Sequence, residues 1–433
     1  MQPSKHNIIS KIKDSNDFFM VNPLSGNADI LTEKEVMAFQ NGKFENTDEL
    51  MGKGYIVDPL KEQMLFNYKY IRSLESKNGD EIQIFFVPNY SCNFACSYCY
   101  QDMYEQAKDL SDANMIDAFF NYISDAFKDR QKYITIFGGE PLLASEAQKQ
   151  NIKNIISKAK IYNLGIAVVT NGYHLTEYID ILKQGIIREI QVTLDGTKEI
   201  HDKRRFLKNK SGTFDKIVEG IDACIDAKLP VNLRIVVDKE NIDDLPALAK
   251  FAISKGWTNS VFFKTQLGRN YELHHCQEEN SRLFTRIEMY ENIYNLIKKY
   301  PEIIEFHKPA FSISKFIFEN EELPEPLFDS CPACKTEWAF DYTGKIYSCT
   351  ATVGKDGEEL GTFYPQVFLD ENKIKEWQQR DITCIKECKE CSLQLACGGG
   401  CGSVAKNQTG KIASPDCRPV KELLELGFSL YAK

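Results

Sequence analysis

Residues 92 to 99 read Cys92-Asn93-Phe94-Ala95-Cys96-Ser97-Tyr98-Cys99, three thiols separated by three and then two residues, shortly after an apolar run at 82–87. Three thiolates can hold three irons of a four-iron cluster and leave the fourth iron open to another ligand. A closed zinc site would need a fourth Cys or His close by, yet the chain has no His between His6 and His174 and no further Cys before Cys224. The competing reading sets the thiols at i, i+4 and i+7 on one buried helical face, with no metal.

Working outward, short apolar runs at 82–87, 133–137, 166–170, 189–194, 231–237 and 260–264 alternate with helical segments. That rhythm predicts βα units and a parallel sheet. Right-handed crossovers would curl the sheet into a full or partial barrel whose working face lies at the C-terminal ends of the strands. Ahead of it, residues 18–31 read as two short strands. Thr32 caps a helix with Glu35 three residues on, a second helix covers 47–53, and Tyr55-Ile56-Val57 is strand-like, a winged-helix-like pattern. Behind the barrel, a helix over 281–300 carries Leu283, Ile287, Tyr290 and Ile293 at core spacing. A Pro-containing linker at 321–328 then opens the Cys-rich C-terminal region. The expected fold class is α/β, a partial (β/α)6 TIM-type barrel between an N-terminal winged-helix-like unit (1–78) and a Cys-rich C-terminal domain (311–433), the barrel occupying 79–310.

The second strand ends in Gly138-Gly139-Glu140-Pro141, where glycines let backbone approach a ligand and Glu140 can accept from an ammonium. The third ends in Thr170-Asn171-Gly172 and the fourth in Thr193-Leu194-Asp195-Gly196. Each alone would also suit a turn. Next come His201-Asp202-Lys203-Arg204-Arg205 and Gly212-Thr213-Phe214. Arg205 suits a carboxylate, which a guanidinium grips through two parallel bonds while staying charged. The alternative is a solvated basic run over 203–210, taking in Arg204 and Lys208. Arg234 and Asn241, at the fifth strand, are further candidates for the cavity wall.

The C-x3-C-x-aromatic-C loop after the first strand resembles the signature of the radical SAM superfamily, the Gly-Gly-Glu-Pro and later strand ends resemble its other motifs, and H-D-x-x-R…G-x-F is similar to a segment of SPASM-type members. The resemblance implies that Cys92, Cys96 and Cys99 hold a 4Fe-4S cluster whose open iron binds S-adenosylmethionine (SAM). It also implies reductive cleavage to a 5′-deoxyadenosyl radical that abstracts hydrogen from substrate, with electrons from a donor such as flavodoxin or ferredoxin. Cofactor contacts are expected at Tyr98, Gly138, Gly139, Glu140, Thr170, Asn171, Thr193, Asp195 and Arg205.

In the C-terminal region, Cys334, Cys349, Cys388, Cys391, Cys397, Cys401 and Cys417, with Gly344, resemble the seven-cysteine SPASM motif, and Cys331 makes eight thiols. Eight suffice for two four-thiol sites. The resemblance implies interleaved ligation of two auxiliary 4Fe-4S clusters, one by Cys331, Cys334, Cys349 and Cys401, the other by Cys388, Cys391, Cys397 and Cys417. The departure is the spacing of Cys331 and Cys334, which leaves open whether the first cluster keeps an uncapped iron. Zinc ribbons are the competing reading. Cys384 lies outside the motif and reads first as an inert residue, with a spare ligand, a resolving thiol and a proton or hydrogen-atom donor as the alternatives. Cys224 and Cys276 read as structural thiols.

Composition narrows the rest. A net charge of −9 argues against a nucleic-acid surface, which needs a basic patch. No secretory signal or membrane span is legible, which predicts a cytoplasmic protein. In a chain of 433 residues without an export signal, 14 cysteines point to metal ligation over disulfides. The N-terminal unit looks like a precursor-peptide recognition element, which would take a leader segment as an added strand. The resemblance thus implies a peptide maturase forming thioether or carbon–carbon crosslinks in a ribosomally made peptide. Sulfatase-type oxidation of Cys or Ser to formylglycine, epimerisation and a non-catalytic iron–sulfur or zinc scaffold are the alternatives. The first of these is disfavoured because the relatives carry an Asp base where Thr350 stands.

Overall fold

The computed structural model describes residues 1–433 except 45, 78, 100, 102–112, 271–280 and 433. Cys276 lies outside the described residues.

Five short strands open the chain: β1 (Gln2–Pro3), β2 (Ile8–Lys11), β3 (Phe18–Asn22), β4 (Asn27–Leu31) and β5 (Ile56–Val57). The antiparallel β2-β3-β4 meander turns through residues 22–27, where Asn22 Oδ1 accepts from the amides of Leu24 and Ser25. The helix Glu33–Gln40 starts at the expected capping box, with Thr32 and Glu35 bonded reciprocally. A 19-residue helix, Pro59–Lys77, follows β5 and was not legible as a separate element. Its outward face mixes apolar and charged residues, so its periodicity is weak.

The central sheet contains the six expected parallel strands: β6 (Ile82–Val87), β7 (Lys132–Ile136), β8 (Gly165–Thr170), β9 (Ile186–Thr193), β10 (Val231–Val237) and β11 (Phe263–Arg269). Helices between them, such as Phe214–Asp226, bury one stripe against the sheet, here Phe214, Ile217, Ile221 and Cys224. The sixth strand starts later than expected, because Trp257–Asn259 forms a 3-10 turn and Ser260 continues it. Likewise the helix expected from 281 starts at Arg286, behind a second capping box made by Thr285 and Glu288.

The sheet does not stop at six strands. β12 (Glu337–Asp341) lies parallel against β6, followed by antiparallel β13 (Lys345–Tyr347), β14 (Glu359–Thr362) and β15 (Phe368–Leu369), making ten in the order β11-β10-β9-β8-β7-β6-β12-β13-β14-β15. The C-terminal region therefore continues the barrel wall. It also shares a core with the N-terminal meander: Phe19 stacks on Phe428 of the last helix, Val420–Tyr431, at 4.8 Å between ring centroids. Among the described residues no helix is long and apolar enough to cross a membrane.

Candidate active site

The strand ends enclose a cavity of about 420 Å³ lined by Cys92, Cys96, Cys99, Tyr98, Gly138, Gly139, Thr170, Asn171, Thr193 and Arg205, among others. The thiol loop, residues 92–99, forms no helix beyond a single turn at 97–98, so the helical-face reading fails. Its shape comes from main-chain bonds to the segment after the fourth strand: Ala95 N to Phe206 O (2.9 Å), Ser97 N to Arg204 O (3.0 Å) and Lys208 N to Asn93 O (3.1 Å). Arg282 adds a bond from Nη2 to Ser97 O at 3.0 Å.

The H-D-x-x-R segment divides its labour. His201 is fully buried and its Nδ1 accepts from the Asp195 amide at 3.1 Å, leaving Nε2 to donate to Thr213 Oγ1 at 3.0 Å. Burial, with Arg205 and Arg204 nearby, holds this imidazole well below its usual pKa and so neutral. The Thr213 hydroxyl donates onward to Arg205 O. Asp202 caps the next helix through the amides of Thr213 and Phe214. Arg205 alone faces the cavity. Its Nη1 donates to Tyr98 Oη at 2.7 Å while its Nε is buried without a partner.

The expectations for Asp195, Asn241 and Glu140 need correction, and the alternative of a solvated Arg204 fails. Arg204 is not solvated: at 3% exposure it donates through both terminal nitrogens to Asp238, at 2.8 and 3.0 Å, and to Glu240 at 3.0 Å. Asp195, expected to face the cavity, is 1% exposed and does not line it. Its Oδ1 accepts from Val236 N and its Oδ2 from Tyr98 Oη at 2.5 Å, so it anchors the residues that do. Asn241 also sits behind the wall, donating to Asp195 O and Val236 O.

Glu140 is likewise 1% exposed and outside the lining. It accepts from Leu142 N, Thr170 Oγ1 and Asn171 N at 2.6–2.7 Å, joining the ends of the second and third strands. Burial raises its pKa against those bonds. The adjacent glycines serve a close approach, though of protein backbone: a Cβ on Gly139 would lie 2.4 Å from the carbonyl oxygens of Tyr90 and Ser91, and one on Gly138 2.6 Å from that of Asn89. The chain leading into the thiol loop rests on them.

Burial pushes the Cys92 thiol up to about 12 and the Cys96 thiol up to about 11, the latter against the Arg205 charge. Ligation would have to displace those protons. Convergent thiols, an orphaned buried Nε on Arg205 and an enclosed cavity above them fit a cluster with a chelated, carboxylate-bearing nucleotide. Among the described residues no three His, Cys, Asp or Glu side chains adopt the arrangement of a single bound ion.

The C-terminal thiols fall into two groups. Burial raises Cys334, Cys349 and Cys401, with Cys331 acting on each of them, Cys349 also acting on Cys334 and Cys401 on Cys349. Burial likewise raises Cys388, to about 11, with Cys397, Cys391 and Cys417 adding to it. Between the groups lies Arg380, 1% exposed, whose fork donates to the carbonyls of Gly399, Gly400, Ile412 and Ser414. Cys334 takes a left-handed φ of 57°, a strained backbone for a non-glycine residue. Cys384 does not line the cavity; its thiol lies against the carbonyls of Gln379 and Asp381 in the C-terminal region.

Thr350, singled out in the sequence only as the position of the relatives' base, is part of the wall, and the sequence reading missed its neighbours Ala351 and Glu337. Thr350 and Ala351, directly after Cys349, line the cavity from the C-terminal region. Behind them Glu337 accepts from Thr350 N at 2.7 Å and from its hydroxyl at 2.9 Å, and burial raises its pKa. Nothing local marks residue 337 as adjacent to residue 350.

Residues 86–252 match the family model described as the radical SAM superfamily. The chain is 24% identical over 336 residues to a cysteine-type anaerobic sulfatase-maturating enzyme of Clostridium novyi, covering 72% of this chain and 85% of that protein. It is 30% identical over 170 residues to a GTP 3′,8-cyclase of Campylobacter fetus, spanning 38% of this chain and half of that protein. Among solved structures, anSMEcpe with bound AdoMet and Cp18Cys peptide superposes with a TM-score of 0.63 at 16% identity, covering 82% of this chain and 98% of that one. Streptococcus suis SuiB bound to precursor peptide SuiA gives 0.55 at 14% identity, covering 97% and 99%. At these identities the structures speak for the fold. The family implies SAM and a 4Fe-4S cluster as cofactors. The chain carries a radical SAM domain and is an enzyme of the radical SAM superfamily.

Proposed function

We propose that this enzyme modifies a ribosomally made precursor peptide, abstracting hydrogen to form a thioether or carbon–carbon crosslink. The observation carrying the proposal is that the cavity above Cys92, Cys96 and Cys99 is walled on one side by Thr350 and Ala351, next to Cys349. A substrate held there lies between the SAM site and the first C-terminal thiol group. In this reading Cys331, Cys334, Cys349 and Cys401 hold one auxiliary cluster and Cys388, Cys391, Cys397 and Cys417 the other, and the three-unit division at about 78 and 310 assigns recognition, cleavage and auxiliary chemistry in turn. Among the described residues no strand pairs with the outer edge of β4, and the last helix packs on β2 at the other side of the meander, so a leader segment would add beside β4.

When bound, the cluster and SAM supply a carbon-centred radical. The chain's own residues do the positioning: Arg205, tethered by Tyr98, takes the SAM carboxylate, Asn171 and Thr170 shape the floor, and Arg204, Asp195 and His201 hold Arg205 and the loop. Thr350 donates its hydroxyl to Glu337 and offers no base at that wall, which weighs against sulfatase-type oxidation.

Protein purified without oxygen should be brown, carry about twelve irons and release 5′-deoxyadenosine from SAM with a reductant or a flavodoxin- or ferredoxin-type donor. Co-expression with a short peptide encoded beside the gene should give a product two hydrogens lighter. A colourless protein inert to SAM would defeat the proposal, and an unchanged peptide mass with altered stereochemistry would replace crosslinking by epimerisation.

A further inference from the structure

The cavity holds a second guanidinium that the cofactor reading does not use. Arg234 sits in mid-strand on β10, in register with Thr193 of β9 and Gln266 of β11, and lines the cavity. Its Nε is buried without a hydrogen-bond partner, and no carboxylate among the described residues pairs with it. The side chain lies over Gly268 of β11, whose missing side chain leaves room for the fork: a Cβ there would stand 3.4 Å from Nε and Nη2. Glu189, the one acidic residue among the described residues of the lining, is already held by Lys264 at 2.5 Å and by Asn232 at 2.9 Å. The lining thus carries two guanidiniums that no carboxylate pairs with directly among the described residues, although Arg205 feels Asp195 through Tyr98. One, Arg205, stands beside the thiol loop. The other stands across the cavity, toward β11.

A half-buried arginine without a counter-ion is costly unless an anion completes the site, and its planar fork favours a carboxylate. We infer that Arg234 is a substrate subsite: it binds a carboxylate carried by the reacting segment of the peptide, either an Asp or Glu side chain or the peptide's C-terminus. The inference rests on the peptide-modifying reading above and adds the substrate class that this reading lacks. Arg234 is then a specificity residue; it touches substrate and leaves SAM to Arg205.

Three probes separate the sources. N-acetylglutamate α-amide carries only a side-chain carboxylate, N-acetylglutamine only a main-chain one, and N-acetylglutamine amide neither. Binding to the reconstituted holoenzyme is measured by calorimetry with SAM present, after SAM affinity itself has been measured in the same preparation. One of the two acids should bind at least tenfold more tightly than the neutral amide, and the tighter one identifies the source. Arg234→Gln should abolish that preference, and Arg234→Lys, which keeps the charge, should retain part of it. Equal or absent binding of all three probes to the parent enzyme overturns the inference whatever the variants do. So does a preference that survives Arg234→Gln, or a tenfold loss of SAM affinity in that variant, which would assign Arg234 to the cofactor. Failure of the parent enzyme to bind SAM would instead count against the functional reading, and the probe preference would still be read without it.

Discussion

His6 is fully buried, stacked on Phe66 at 5.7 Å between ring centroids, and neither ring nitrogen has a hydrogen-bond partner. Burial, helped by Lys5, lowers its pKa from 6.5 to about 4. Between those values the unfolded chain binds a proton that the folded chain refuses, so stability falls as pH drops below about 6.5, the loss becoming complete below about 4. At about 1.4 kcal/mol per pKa unit, His6 alone should remove about 2 kcal/mol by about pH 5, approaching about 3 kcal/mol below pH 4. Replacing it by Phe deletes the term. Packing changes in His6→Phe add a constant offset, so the informative quantity is how the stability difference between variant and parent changes from pH 7.5 to pH 5. Urea unfolding of anaerobic holoenzyme should show that difference growing by about 2 kcal/mol in favour of the variant. A residual acid slope should remain from His307, also lowered to about 4 by burial. A difference that stays flat across this range would refute the reasoning, since it would mean that His6 meets water or a partner that solvates its charge.

Gly139→Ala should press a methyl onto the carbonyls of Tyr90 and Ser91, costing about 2 kcal/mol or more, and the displaced thiol loop should show as reduced iron content and weaker SAM binding. Tyr98→Phe frees the Arg205 fork and leaves Asp195 short of a donor; SAM affinity should fall about tenfold, equivalent to about 1.4 kcal/mol, with little change in total iron. Arg380→Met removes four hydrogen bonds, to the carbonyls of Gly399 and Gly400 at the glycine turn and of Ile412 and Ser414 beyond it, an expected loss of at least about 3 kcal/mol. Arg380→Lys should recover less than half of it, because three N–H groups on one nitrogen cannot span four acceptors; thermal melts and iron per protein measure both.

Much of this protein is legible along the chain because it depends on near neighbours. The x3 and x2 thiol spacing, the βα rhythm, the capping box at Thr32 and the Gly-Gly after β7 are short-range features. Their chemistry is set by residues within one turn or one strand, and β6 and β10 occupy the residues expected of them. What each motif residue does was decided elsewhere. Adjacent arginines 204 and 205 have opposite fates because Asp238 and Glu240, more than thirty residues on, stand behind one and the cavity stands before the other. Glu140 became a strap between strands because the amide of Asn171 and the hydroxyl of Thr170 came within its reach. The parallel placement of β12 against β6, the entry of Thr350 into a wall shared with Cys92, and the grouping of Cys401 with Cys331 and Cys349 all join segments far apart along the chain. Composition and periodicity are properties of short windows and carry no record of such pairings. They follow only when burial of the shared core selects one three-dimensional arrangement, and a buried polar group then takes whichever partner that arrangement brings to it.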